Sequence, residues 1–125
     1  MQTTGTTRAL EKSFYDARDI ALGAIRKTPG HLSDREARFL LLVSALAAAR
    51  GAVLEIGSFK GRSTVALASG VTWSGEGVVH AVDPHTSPSP TDPDLKDSLT
   101  SWDEFVVNIE KAGMASVVTP YRELS

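Results

Sequence analysis

The strongest constraint on the fold is an alternation of short apolar runs with segments of helical periodicity. The runs at 52–56, 78–82 and 116–119 are rich in β-branched residues and have the length of buried strands. The segments 62–69 and 102–112, which separate them, have the apolar spacing of helices. Strands that alternate with helices form parallel sheets with right-handed crossovers. The sequence therefore predicts an α/β fold built on a parallel sheet.

Two more helices are predicted before the first strand. Apolar residues in 10–25 recur at spacings of three and four, and the turn at 28–30 ends that pattern. Ser33 and Glu36 then form a capping-box pattern. The run 39–46 that follows is apolar nearly all round, which is typical of a helix buried on more than one side.

These elements divide the chain into an N-terminal helical segment, 1–30, and one Rossmann-like unit, 31–125. We expect a parallel sheet with helices on both faces, truncated after the third strand. Gly70 is the expected end of the helix that follows the first strand. The segment 84–100, rich in Pro, Ser, Thr and Asp, is an expected irregular loop and a candidate lid over a bound ligand.

Composition excludes several functional classes. The chain has 125 residues, with 13 Lys and Arg against 15 Asp and Glu and a net charge of -2, so it has no basic stripe for nucleic acid. The absence of cysteine excludes disulfides, thiolate metal sites and a cysteine nucleophile. Its longest apolar stretch, 39–49, is about half the length that crosses a bilayer. With no signal-peptide pattern at residues 1–5, we expect a soluble cytoplasmic protein that binds neither membranes nor nucleic acid.

The segment 53–68 carries the clearest binding pattern. A predicted strand ends in a loop that contains Gly57 and Gly61, and a helix begins directly after it. Glycine allows a sharp turn and close approach of a ligand, and the free N–H groups of the new helix favour an anionic group. Asp83 follows Gly61 by about 20 residues at the end of the next strand, where nucleotide folds place a ribose-binding carboxylate.

The glycine spacing differs from the dinucleotide fingerprint G-x-G-x-x-G. Phe59 occupies the place of the middle glycine, and its bulk disfavours close passage of a pyrophosphate. Glu55, beside the loop, also disfavours phosphate and suits a cationic ligand. Lys60 and Arg62 are expected to face solvent. The pattern favours a ligand with a ribose and no phosphates, and a nicotinamide dehydrogenase domain is the less favoured alternative.

The segment 53–64, VLEIGSFKGRST, resembles motif I of class I S-adenosylmethionine-dependent methyltransferases, above all the small-molecule branch that includes the catechol-type O-methyltransferases. The segment 81–85, AVDPH, resembles the second motif of that family. The helix at 102–112, followed by Gly113 and a valine-rich strand, fits the family's order. The resemblance covers residues 31–125 and implies that they form the N-terminal half of such a domain.

The resemblance implies S-adenosylmethionine as the cofactor and a small molecule as the methyl acceptor. Gly57 and Gly61 would let the backbone wrap around the methionine part of the cofactor. Ser63 would hold the methionine carboxylate, Glu55 would orient the amino end, and Asp83 would bind the ribose hydroxyls. The cofactor-binding residues implied in this way are Glu55, Gly57, Ser58, Phe59, Gly61, Ser63, Asp83, Pro84 and Ser125.

Pro84 would lie along the adenine, and Ser125 stands where the family places an adenine contact. The family's later strands, which build the acceptor pocket and carry the metal ligands of metal-dependent members, are not matched, so we assign no catalytic residue and no metal site. Without a fourth strand, 52–56 would be a bare apolar edge. We therefore expect a homo-oligomer or a missing C-terminal half. The alternative function is a non-catalytic remnant or an oligomerising fragment of the fold.

Overall fold

The computed structural model describes residues 3–85 and 101–123, with side chains from residue 12 onward. The elements follow the predicted order of helices and strands. Within the described residues, no helix is both long enough and apolar enough to cross a membrane. The elements are α1 (Thr3–Lys27), α2 (Asp34–Ala47), β1 (Val53–Ile56), α3 (Arg62–Ser74), β2 (Val79–Val82), α4 (Ser101–Lys111) and β3 (Val118–Tyr121).

The three strands form one parallel sheet in the order β1-β2-β3. At the start of the strands, Val53 pairs with Val79, and Val79 pairs with Val118. The connections through α3 and α4 therefore advance across the sheet in the same direction. Because such crossovers are right-handed in nearly all proteins, two that advance in one direction place their helices on the same face. The α/β class with a parallel sheet is confirmed.

Burial of the strand side chains distinguishes the two faces of the sheet. Val79, Ala81 and Val118 belong to the hydrophobic core that the helices complete. Leu54 and Ile56, on the opposite face, are each 64% exposed. In residues 3–85 and 101–123, the helices thus cover one face of the sheet. We expected helices on both faces, and within these residues only one face carries them. A helix on the second face would need a crossover running in the other direction from β1.

Helix α3 is longer than the sequence suggests, because Gly70 does not end it. The helix continues to Ser74, and Gly75 (φ 90°) forms its left-handed C-cap. A Cβ atom at Gly70 would overlap the Ser44 hydroxyl and the Leu41 carbonyl oxygen of α2. Gly70 is therefore the point where two helices cross at close range, which a single-sequence pattern does not distinguish from a helix end.

Helix α2 begins at the predicted capping box, in which the Glu36 N–H donates to Ser33 Oγ over 3.2 Å and the Ser33 N–H donates to Glu36 Oε1 over 3.3 Å. Its burial differs from the prediction. Leu41 is buried, whereas Phe39 and Leu46 are exposed. Among the described residues, α2 is therefore buried on one side only, and its outer side keeps an apolar stripe in contact with solvent.

Candidate functional site

The candidate site lies at the carboxyl ends of β1 and β2, where the chain leaves the sheet. The Gly57 N–H donates to the Val82 carbonyl oxygen over 2.8 Å, so the two strands stay together to this edge. Directly beyond it, the Phe59 N–H donates to Asp83 Oδ2 over 2.9 Å. The structure thus brings the glycine loop and the strand-end carboxylate into direct contact, as the sequence predicts.

Residues of the glycine loop adopt left-handed backbone conformations. Gly57 has φ 89°, Gly61 has φ 99°, and Phe59 has φ 49°. A Cβ atom at Gly57 would meet nothing within 4 Å, whereas one at Gly61 would lie 3.2 Å from Phe105 and 3.3 Å from Ile109. The two glycines therefore have different surroundings: Gly57 faces open space at the strand ends, and Gly61 lies against α4.

Helix α4 also holds the glycine loop through polar contacts that the sequence did not reveal. The Asn108 side chain donates to the Lys60 carbonyl oxygen over 2.9 Å. The Lys60 ammonium lies 3.3 Å from the Glu104 carboxylate, and both side chains are half-buried. Lys60 was expected to face solvent, but its ammonium is paired with Glu104. Only the tertiary packing of α4 under the loop shows these contacts, because Glu104 and Asn108 look like ordinary polar helix residues in the sequence.

Asp83 holds the loop that follows β2 as well as the glycine loop. Asp83 Oδ1 accepts the His85 N–H over 2.7 Å, while Oδ2 accepts the N–H of Phe59. Each carboxylate oxygen has more than one acceptor position, so the group can accept further hydrogen bonds. Pro84, which follows Asp83 directly, is half-buried. The carboxylate is therefore fixed in position while retaining capacity for a ligand.

His85 is a buried link between the end of β2 and α4. It is 2% exposed, its Nδ1 lies 3.1 Å from Ser101 Oγ, and its ring packs against Trp102 and Phe105. Burial lowers the pKa of His85 below its ordinary value. The ring is therefore neutral near pH 7, and its 3.9 Å approach to Asp83 is not an ion pair there. The sequence analysis did not reveal the contact between His85 and Ser101.

Glu55 lies beneath the start of α3 and is almost completely buried. Its carboxylate accepts the hydroxyl of Ser63 over 2.6 Å and the hydroxyl of Thr64. Burial raises the pKa of Glu55 above its ordinary value, against the two hydroxyl bonds, which lower it. The hydroxyl hydrogen of Ser63 is therefore directed at Glu55. In this structure it is not free to donate to a ligand carboxylate, the role that the resemblance implied.

A cleft of about 290 Å³ separates the glycine loop from the loop between α1 and α2. Its walls include His31 and Glu36 on one side and Gly57, Ser58 and Arg62 on the other. Arg62 was also expected to face solvent, but its Nη1 donates to the Thr28 carbonyl oxygen over 3.3 Å. A larger cavity, of about 390 Å³, lies between α1 and α4, and none of the predicted site residues that the structure describes lines it.

Two sequence-based predictions fall where the structure gives no description. Ser125 lies outside the described residues, as does most of the candidate lid, 86–100. In the part of the chain that is described, no group of three or more His, Asp or Glu residues could hold a metal ion.

The chain is similar in structure to a protein of known structure. A scan against protein-family models and a search of curated proteins find no match. A crystal structure of cofactor-bound Rv0187 from MTB matches with 26% sequence identity and a TM-score of 0.53. The match covers 88% of this chain and 43% of that one, so this chain spans less than half the length of its structural relative. The similarity places the chain in a Rossmann-like α/β fold, one that in the relative binds a cofactor.

Proposed function

We propose that this chain binds S-adenosylmethionine and supplies the cofactor-binding half of a methyltransferase that acts on a small molecule. The contact between the Phe59 N–H and the Asp83 carboxylate is the observation that carries the proposal. It holds a carboxylate suited to ribose hydroxyls next to the glycine loop. In that loop the bulky Phe59 replaces the glycine that would let a pyrophosphate pass. The cofactor-bound state of the structural relative adds support.

The described residues fit the parts of this cofactor. Asp83 would accept the ribose hydroxyls with the acceptor positions that the backbone leaves free. Gly57, whose missing side chain leaves open space, would let the ligand pass close to the backbone. The buried carboxyl of Glu55 would place partial or full negative charge below a cationic ligand. These residues bind and orient the ligand, and we assign none of them to proton transfer.

S-adenosylmethionine, when bound, supplies an activated methyl group. The protein must then hold the acceptor in line and exclude water. We place the acceptor pocket outside the cofactor-binding residues named above. Enzymes that share one fold differ in their substrates, so the residues that select the acceptor are distinct from those that form the shared fold. The methyl acceptor of this proposal is a small molecule bound with the help of a further polypeptide segment, from this protein or from a second copy.

A second candidate function, an oligomerising unit without catalysis, is favoured by the exposure of β1. This strand is at the edge of the sheet, and both Leu54 and Ile56 are exposed. Exposed apolar edge strands pair with other chains. In this alternative, the chain would associate through β1 and bind no adenosine compound.

Calorimetric titration with S-adenosylhomocysteine, the demethylated product, tests the proposal. We expect saturable binding that Asp83→Asn weakens about tenfold or more, because a neutral amide loses charge-assisted hydrogen bonds. Asp19→Asn, at an exposed position of α1, is the matched control and should bind like the unchanged protein. NAD should not bind. Absence of binding at millimolar S-adenosylhomocysteine would reject the proposal and leave the oligomerising unit.

A further inference from the structure

Among the described residues, two that are not glycine have a left-handed backbone, and both of them bond the same carboxylate. Phe59 has φ 49° and His85 has φ 51°. The Phe59 N–H donates to Asp83 Oδ2, and the His85 N–H donates to Asp83 Oδ1. Residues with a side chain are strained in this conformation, and they keep it only where their surroundings impose it, often at ligand sites. The strained backbone therefore lies where it fixes Asp83, with one N–H at each oxygen.

The side chain of His85 is the group that imposes the conformation at its own position. The residue is 2% exposed, and its Nδ1 lies 3.1 Å from the hydroxyl of Ser101, the first residue of α4. Ser101 is itself 3% exposed. The ring also packs against Trp102 and Phe105 of the same helix. The ring is thus held by α4 on its polar and its apolar sides, and the backbone of His85 is held with it.

Histidine suits this position for two reasons. It adopts the left-handed conformation more readily than most side chains, and its Nδ1 lies close enough to the backbone to bond a neighbouring helix. Burial lowers the pKa of His85, so its ring is neutral near pH 7 and does not pair as a cation with Asp83 Oδ1, 3.9 Å away. The ring therefore fixes the backbone and leaves the remaining acceptor positions of Asp83 open.

We infer that His85 is a positioning residue for Asp83: its ring, bonded to Ser101, locks the backbone whose N–H fixes the carboxylate. That this carboxylate binds a ribose rests on the proposed function, whereas its positioning by His85 does not. Helix α4 then holds both loops at the strand ends, since Asn108 bonds the glycine loop in the same way. Because His85 acts through Asp83, changing His85 should matter little once Asp83 itself is changed.

Amide hydrogen exchange tests the positioning without a ligand. His85→Leu keeps the bulk of the side chain and loses its hydrogen bond to α4. In this variant the Phe59 amide should exchange about tenfold faster relative to the Gly57 amide. Gly57 is the internal reference, because its N–H bonds the neighbouring strand. His85→Asn should keep the ratio of the two rates within about threefold of the unchanged protein, because asparagine tolerates the left-handed conformation and retains a polar group near the backbone.

Two further variants make this experiment decisive. His80→Leu is the matched control, since His80 also makes a hydrogen bond through Nδ1, to the Tyr121 hydroxyl over 2.9 Å, and that bond does not involve Asp83. It should leave the exchange ratio unchanged. Ser101→Ala removes the bond from the side of α4 and should raise the ratio as His85→Leu does. It decides the question if the leucine variant does not fold.

Calorimetry with S-adenosylhomocysteine tests the link to the ligand. His85→Leu should weaken binding about tenfold, and His85→Asn should restore it. In a protein that already carries Asp83→Asn, His85→Leu should cause little further loss, because its effect passes through Asp83. A merely structural role of His85 would instead give losses that add in full.

The outcomes that overturn the inference concern the exchange ratio and this additivity. An unchanged ratio in His85→Leu or in Ser101→Ala, an equal ratio in His85→Leu and His85→Asn, or an equal rise in His80→Leu would each overturn it. Full additivity of the two changes in binding would do so as well. If S-adenosylhomocysteine does not bind the unchanged protein, the proposed function fails, and the exchange ratio alone decides the inference.

Discussion

Replacing each of the two loop glycines by alanine separates backbone strain from contact with α4. Both glycines have left-handed backbone, with φ 89° at Gly57 and φ 99° at Gly61, so alanine at either is strained by about 1–2 kcal/mol. At Gly57 the new methyl group would enter open space. At Gly61 it would press on Phe105 and Ile109, which adds overpacking of about 1–3 kcal/mol.

We therefore expect Gly57→Ala to lower the free energy of unfolding by about 1–2 kcal/mol and Gly61→Ala to lower it by about 2–5 kcal/mol. Urea denaturation followed by circular dichroism measures both free energies of unfolding. The comparison requires that the free energy depend on urea concentration with the same slope in the two variants. Gly57→Ala should nevertheless impair binding of S-adenosylhomocysteine more than its loss of stability explains. Equal destabilisation by the two changes, or a larger effect at Gly57, would refute the assignment of Gly61 to packing against α4.

Three further predictions follow from other parts of the structure. Gly70→Ala should lower the free energy of unfolding by about 3 kcal/mol or more, or prevent folding, because its methyl group would overlap α2. Gly23→Ala is the control, since a Cβ atom there meets nothing within 4 Å. If the two variants unfolded at the same temperature in a thermal scan, that result would contradict the prediction. Because the folded state raises the pKa of Glu55, it holds the proton more tightly than the unfolded chain does. Stability should therefore fall as the pH rises from the ordinary glutamate pKa of 4.5 through the raised pKa. Glu55→Gln should flatten that fall in urea midpoints measured across the same range, and an unchanged slope would count against it. Light scattering should show self-association through β1 that Ile56→Lys reduces without unfolding the protein, and a monodisperse monomer before any substitution would argue against pairing through this edge.

The local sequence predicted features that depend on short segments. The order of elements, the capping box of Ser33 and Glu36, and the meeting of Asp83 with the glycine loop follow from periodicity, cap chemistry and the geometry of parallel strands. Each of these requires only the type of residue and its distance along the chain. Strand ends in a parallel sheet share one edge, so the position of Asp83 was fixed once the strands were identified.

Features that depend on which elements pack together were not predictable in this way. Gly70 looks like a helix end until α2 is placed across it. The hydroxyl of Ser63 looks available until Glu55 is found buried beneath it. The role of His85 becomes visible only when its hydrogen bond to Asp83 and its contact with Ser101 are traced in three dimensions.

The central claim is that an adenosine-containing ligand binds at the carboxyl ends of β1 and β2, against both the glycine loop and Asp83. An NMR titration of the isotope-labelled chain with S-adenosylhomocysteine tests it most directly. We expect the largest amide shifts at Gly57, Phe59 and Asp83, with smaller changes along α1. Shifts confined to the cavity between α1 and α4, or no shifts at saturating ligand, would contradict the claim.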